Sequence, residues 1–219
     1  MPFYKEKYSE ISNYIRDISS NLDITPKIVV VSKSHPVSSI IEAIDFGVKI
    51  FAENKLQEAL LKFTDLKRNH KDLELHMTGS IQTNKVKKSL EIFDYFHTLD
   101  RDKLANEFYK QILSSNKFNN KKFFIQVNAG NEYQKSGIST NTLKEFVKYC
   151  VNDLRLEVIG LMSIPPIDED PKKHFILLSQ LAIENKLKYL SMGMSSDYKV
   201  ALRCGATHIR LGTILFGKR

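Results

Sequence analysis

Alternation of short apolar runs with amphipathic stretches from end to end predicts an α/β chain. Eight such runs with seven helical patterns between them fit a single (β/α)8 TIM barrel better than an open doubly wound sheet, which remains the alternative. The runs are also nearly all apolar, as strands buried on both faces of a parallel sheet must be.

Residues 3–20, FYKEKYSEISNYIRDISS, place Phe3, Tyr4, Ile11, Tyr14, Ile15 and Ile18 on one broad stripe and predict an extra N-terminal helix. It takes the place of the eighth barrel helix, for which no pattern is visible. The predicted strands follow as KIVVVSK (27–33), IFAEN (50–54), LELHMTGS (73–80) and DYFHTLD (94–100). The series continues with KFFIQVNAG (122–130), LEVIGLMSI (156–164), YLSMGMS (189–195) and HIRLGTILF (208–216). Between them lie SSIIEAIDFG, NKLQEALLKFTDLKR, NKVKKSLEIF, RDKLANEFYKQILSS, TNTLKEFVKYCV, PKKHFILLSQLAIENK and SDYKVALRCG. Several open on a Ser, Asp or Asn cap candidate, and two close on Gly47 and Gly205. No low-complexity linker interrupts the alternation, so residues 1–219 are expected to form one domain, with 1–20 as its leading helix.

Composition narrows the classes. With 42% hydrophobic and 26% charged residues the chain can build a sizeable core. Its apolar runs are too short to span a bilayer, and MPFYKEKYSE has no signal-peptide core, so a cytoplasmic protein without a membrane role is expected. Cys150 and Cys204 lack CxxC spacing, which argues against a disulfide framework or a zinc site. The balance of 33 Lys+Arg against 25 Asp+Glu, net +8, invites a nucleic-acid reading. The lysines are scattered singly over helices, however, and the densest cluster, NKVKKS, lacks interleaved aromatics. A solvated surface that steers an anionic small ligand is the better reading.

In such a barrel chemistry gathers at the C-terminal strand ends. Lys33 ends the first run, Asn54 the second, Gly79 and Ser80 the third and Asn128 the fifth; Ser163 and Ser195 end the sixth and seventh. SMGMSSD, Ser191 to Asp197, puts small residues and hydroxyls before a helix, and RLGT, Arg210 to Thr213, puts Gly212 beside a hydroxyl. Together they form a candidate phosphate cradle; the plainer alternative is a tight turn with Ser195 as an N-cap. Period-two geometry puts Val29, Val31 and Lys33 on one face and His208, Arg210 and Gly212 on another; if those faces line the barrel, a lysine and an arginine converge near the cradle. A lysine among apolar neighbours has a depressed pKa and can form a Schiff base with an aldehyde. A phosphorylated aldehyde satisfies both features; pyridoxal 5′-phosphate is the obvious one, with Arg210 suited to its pyridine nitrogen.

VSKSHP, FAENKLQEA, LHMTGSIQTNKVK, FIQVNAGNEYQKSGI, IGLMSIPP and SMGMSSDYKVALRCGATHIRLGTILFG resemble, in order, the motifs of the pyridoxal phosphate homeostasis proteins. These are single-domain relatives of the alanine racemase barrel domain. The resemblance implies a fold type III barrel that binds pyridoxal 5′-phosphate, a vitamin B6 form, as a Schiff base on Lys33. It further implies Arg210 at the pyridine nitrogen, Ser191, Ser195, Gly212 and Thr213 around the phosphate, and Asn54 and Lys135 at the rim. The second motif usually reads FGEN, where this chain has Ala52, and the third usually begins with tryptophan, where this chain has Leu75.

The reading is of a monomeric carrier and regulator of the reactive aldehyde, with apo-enzymes that need the cofactor as recipients. A racemase-like enzyme acting on small amino acids is the alternative. Racemisation needs acid–base groups on both faces of the substrate; in alanine racemase one comes from a separate β-domain, for which no residues remain after Arg219. A metal-dependent hydrolase using His35, Glu53, His76 and His97 is disfavoured, because neither HxH nor HExxH occurs.

Overall fold

The computed structural model describes residues 2–20, 22–130, 132, 134 and 136–217, with Asn116 described in its backbone alone. Eight parallel strands close a barrel in chain order: β1 (Lys27–Val31), β2 (Ile50–Glu53), β3 (Glu74–Met77), β4 (Tyr95–Leu99), β5 (Lys122–Gln126), β6 (Glu157–Met162), β7 (Tyr189–Ser191) and β8 (His208–Leu211). Helix α1 (Lys5–Ile18) precedes them. After successive strands come α2 (Val37–Asp45), α3 (Leu56–Asn69), α4 (Val86–Ile92), α5 (Asp102–Leu113), α6 (Leu143–Lys148), α7 (Pro171–Glu184), α8 (Tyr198–Arg203) and α9 (Thr213–Phe216). The barrel closes where β8 pairs with β1, placing Val29 opposite Arg210.

Alternate residues face opposite sides of each strand, and the two sides differ in chemistry. Val30, Phe51, Leu75, Phe96, Phe123 and Ile209 point outward into one continuous apolar layer under the helices. Burying a side chain of this size contributes roughly 1.5–3 kcal/mol. Inside the barrel, Val29, Val31 and Ala52 form one small apolar group and Tyr95, Phe124 and Met162 another. Between them the lumen carries His76, His97, Ser191, His208 and Arg210, all buried.

Two expectations need correction. The first strand stops at Val31, so Lys33 lies in the following turn, where Ser34 adopts φ 62°. The last strand stops at Leu211: Gly212 caps a one-turn helix, with Leu215 N–H donating to its carbonyl at 2.8 Å. The apolar run TILF, half of it β-branched, reads as strand, but here it forms a single helical turn whose Leu215 and Phe216 join the core cluster. The eighth helix is therefore present in miniature, and α1 packs on it: Tyr4 N–H donates to Leu215 O at 2.8 Å, and the Phe3 and Phe216 ring centroids are 5.6 Å apart. Among the described residues no helix is long and apolar enough to cross a membrane.

Candidate functional site

At the C-terminal mouth of the barrel a cavity of about 210 Å³ is lined by Val31, Lys33, His35, Asn54, Thr78, Ile164, Met194, Ser195, Arg210, Gly212 and Thr213. A second cavity of about 490 Å³ adjoins it, sharing Asn54, Thr78 and Ile164 and reaching Gly79, Ser80 and Asn128.

The wall that carries Lys33 is held by charge. Lys62, from α3, donates to Ser32 O at 2.8 Å, to Glu53 Oε1 at 3.1 Å and to Glu58 Oε1 at 2.5 Å. Ser32 Oγ donates to the same Glu53 oxygen at 2.8 Å, and Ser34 N–H donates to Glu58 Oε1. Residues on both sides of Lys33 are thus tied to one ion cluster. That cluster supports the left-handed backbone at Ser34, which otherwise costs a non-glycine residue roughly 1–2 kcal/mol. Burial pushes the Glu53 carboxyl up despite Lys62 and Ser32, whereas in Glu58 the Lys62 and Ser34 hydrogen bonds overcome the smaller burial and pull it down.

The opposite wall, built from the β7–α8 and β8–α9 connections, lines the cavity with Met194, Ser195, Gly212 and Thr213, all uncharged. Ser195 Oγ accepts from Ile214 N–H at 3.3 Å, and Asp197 Oδ1 accepts from Met194 N–H at 2.6 Å. Gly193 has φ 90°, and a Cβ there would sit 2.5 Å from that of Ala201. A Cβ on Gly212 would lie 3.1 Å from Val31 O, so only glycine lets the two strands approach this closely without displacement.

Arg210 closes the floor. It is 5% exposed, donates from Nη1 to Ser191 Oγ at 2.7 Å and from Nη2 to Ser163 O at 3.0 Å. Burial lowers its pKa to about 10, with Asp197 opposing, so the guanidinium stays charged at neutral pH. Ser163 Oγ is buried nearby with no partner among the described residues.

Of the residues singled out in the sequence, Lys33, Asn54, Ser195, Arg210, Gly212 and Thr213 meet in this one cavity. Ser191 does not line it: its hydroxyl is engaged beneath the floor by Arg210 and, at 2.7 Å, by His97 Nδ1. Lys135 lies outside the described residues. The sequence reading named His35 only for the disfavoured metal-dependent alternative, and missed Thr78, Ile164 and Met194 in the lining and Lys62 behind it. His35, two residues beyond Lys33, and Thr78, at the end of the third run, carried a positional signal; Lys62 reads as an ordinary helix-surface lysine. Among the described residues no group of three His, Cys, Asp or Glu side chains is placed to hold a metal ion.

An amine, a buried guanidinium and a wall of hydroxyls and glycine backbone meet at the mouth of an eight-stranded barrel, and the sequence comparison names the class: the alanine racemase N-terminal domain, whose profile matches residues 8–219. The pyridoxal phosphate homeostasis protein of Aquifex aeolicus is 40% identical over 202 residues, spanning 88% of this chain and 87% of its own. The structure of PipY from Synechococcus elongatus without PLP superposes with a TM-score of 0.84 at 32% identity, covering 97% of this chain and 99% of that one. The same protein with PLP bound gives 0.80 at 31%, covering 94% and 100%. This chain belongs to the pyridoxal phosphate homeostasis protein family.

Proposed function

We propose that this protein binds pyridoxal 5′-phosphate covalently through Lys33 and serves its homeostasis as a carrier and regulator, without substantial turnover of amino acids. The observation that carries the reading is the meeting, in one cavity, of Lys33 on a braced turn, Arg210 on the floor and the Ser195–Gly212–Thr213 cradle. The residues fit the group: the close glycine backbone leaves room for a phosphate, and the cradle's hydroxyls and N–H groups can donate to it. When bound, the cofactor supplies an aldehyde that a neutral lysine amine can attack, with loss of water, to give a reducible carbon–nitrogen double bond.

What the chain's own residues do then argues for custody over turnover. A protonated guanidinium donates to a ring nitrogen and does not readily yield its proton, so Arg210 keeps that nitrogen from becoming a pyridinium and the ring remains a weak electron sink. Among the described residues the ionisable side chains in the lining are Lys33, His35 and Arg210, and the first two rise from the same turn, which supports custody over two-sided acid–base chemistry. The recipients we envisage are cofactor-free enzymes in the same cytoplasm, met by a monomer.

The test is an absorption spectrum of the purified protein before and after borohydride, with peptide mapping of the reduced product. The label is expected on Lys33; a label found mainly on Lys85 or Lys121 would remove the assignment. Chiral analysis after long incubation with alanine or serine is expected to show negligible racemisation. Rapid multiple turnover, abolished in Lys33→Ala, would establish the racemase-like alternative instead.

A further inference from the structure

A polar seam crosses the lumen from the floor of the cavity to the opposite mouth of the barrel. Arg210 Nη1 donates to Ser191 Oγ at 2.7 Å, and Ser191 Oγ lies 2.7 Å from His97 Nδ1. His97 Nε2 lies 2.8 Å from His76 Nδ1, and His76 Nε2 lies 2.9 Å from Glu74 Oε1. Arg210, Ser191, His97 and His76 are buried; the Glu74 side chain, 25% exposed, reaches the far mouth, with Lys27 Nζ 3.6 Å away. His76 is stacked on Tyr95 at 4.3 Å and His97 packs on Phe124 at 4.5 Å, so neither ring is loose.

The two ends dictate the sense of every link. A guanidinium only donates and a carboxylate only accepts. With neutral imidazoles one arrangement satisfies all four links: Ser191 donates to His97 Nδ1, His97 Nε2–H to His76 Nδ1, and His76 Nε2–H to Glu74. A doubly protonated His76 would make His97 donate into Ser191. That oxygen already accepts from Arg210, and its hydroxyl hydrogen would lose the acceptor it has at His97, in a buried position where an unmade hydrogen bond is costly. Burial, the dominant influence on both rings, independently holds His76 and His97 below the usual histidine range.

We infer that Glu74, His76, His97 and Ser191 are positioning residues for Arg210, forming a one-way hydrogen-bond chain that presents its guanidinium to the cavity as a donor of fixed aim. What Arg210 addresses rests on the function proposed above; the chain itself is a property of the ligand-free protein, which allows the two to be tested apart.

Nitrogen-15 NMR of the imidazoles in the ligand-free, full-length protein at neutral pH is the first measurement. His76 and His97 are both expected neutral with the proton on Nε2, and either ring protonated on Nδ1 would overturn the chain. Glu74→Ala should release the single tautomer of His97, two links away, and Glu74→Gln, which keeps an acceptor oxygen, should retain it. A His97 signal indifferent to Glu74→Ala would mean isolated packing contacts and also overturn the chain. The second measurement is titration with pyridoxal 5′-phosphate. Glu74→Ala and His97→Phe are each expected to lower affinity about tenfold and to shift the absorption maximum, with borohydride still labelling Lys33. If the wild type binds and both variants match it in affinity and spectrum, the positioning role is refuted. If the wild type takes up no cofactor while the tautomers hold, the proposed function fails and the chain stands.

Discussion

The two walls of the cavity are built by opposite means. The turn that carries Lys33 is tied on both flanks to Lys62, Glu53 and Glu58, whereas the wall formed by Ser195, Gly212 and Thr213 is made of hydroxyls, glycine backbone and N–H groups. The difference follows from what each wall has to hold. A nucleophilic amine must point one way, and a partly buried ion cluster is unforgiving of misplacement, since losing one partner strands the others. On the function proposed above, a phosphate would bring its own charge and need only donors, and hydroxyls and N–H groups would hold it without a counter-cation on that wall to slow its departure. A carrier would then join a firmly held amine to a cradle that releases its load.

The largest effect that would break this contrast is expected from Lys62→Met. It removes the amine hydrogen-bonded to both the buried Glu53 and Glu58, and unfolding by denaturant should show a loss of about 3–5 kcal/mol, as for other buried pairs deprived of one partner. In whatever fraction remains folded, covalent capture by Lys33 should slow more than binding of inorganic phosphate weakens. Equal losses on both would mean that the walls are not independently held.

Lys33→Ala sharpens the comparison from the other side. It should abolish the reducible linkage and its absorption band while the phosphorylated ligand still binds reversibly, as equilibrium dialysis would show. Ser195→Ala and Thr213→Ala should each weaken that binding by roughly 0.5–3 kcal/mol and leave the site of borohydride labelling unchanged. Pyridoxal lacking the phosphate should bind the wild type much less well; equal affinity would contradict the cradle.

The smallest effect concerns Glu53→Gln. Because burial raises the Glu53 carboxyl in the folded state, its contribution is fully present below its ordinary value near 4.5 and is lost as pH rises through the higher folded value. At low pH glutamine and protonated glutamic acid are near equivalents. From about pH 4.5 upward the variant should gain on the wild type in thermal unfolding, and a gap that closes with rising pH would reverse the sign.

Much of this was legible in the sequence because barrels obey parity. Val29, Val31 and Arg210 could be assigned to the lumen by counting in twos, and Lys33 stood out as a charge at the end of an apolar run. Ser191 lies on a different strand from His208 and Arg210, and only the register of β7 on β8, which pairs Ser191 with His208, brings it into line with them; its company of glycine, methionine and serines suggested a phosphate contact instead. TILF misled because strand propensity says nothing of Gly212 turning the chain. Lys62 was hidden for a deeper reason: its pairing with Glu58 is an ordinary i,i+4 helix contact, while the partners that bring it to the site, Glu53 and Ser32 O, lie on a strand and in a turn.

The contact of α1 with α9 also bears on the order in which the site is made. Lys33 leaves the ribosome early, but Gly212 and Thr213 come near the end, and the one-turn helix they open is braced by Phe3 and Tyr4 from the start of the chain. A closed parallel barrel of this kind joins its first and last strands across nearly the whole sequence, so its folding is governed by non-local contacts. On the function proposed above, a nascent chain would display the Lys33 amine long before Ser195, Gly212 and Thr213 are in place to select a phosphorylated aldehyde. Selective capture would then depend on the closure of β8 against β1.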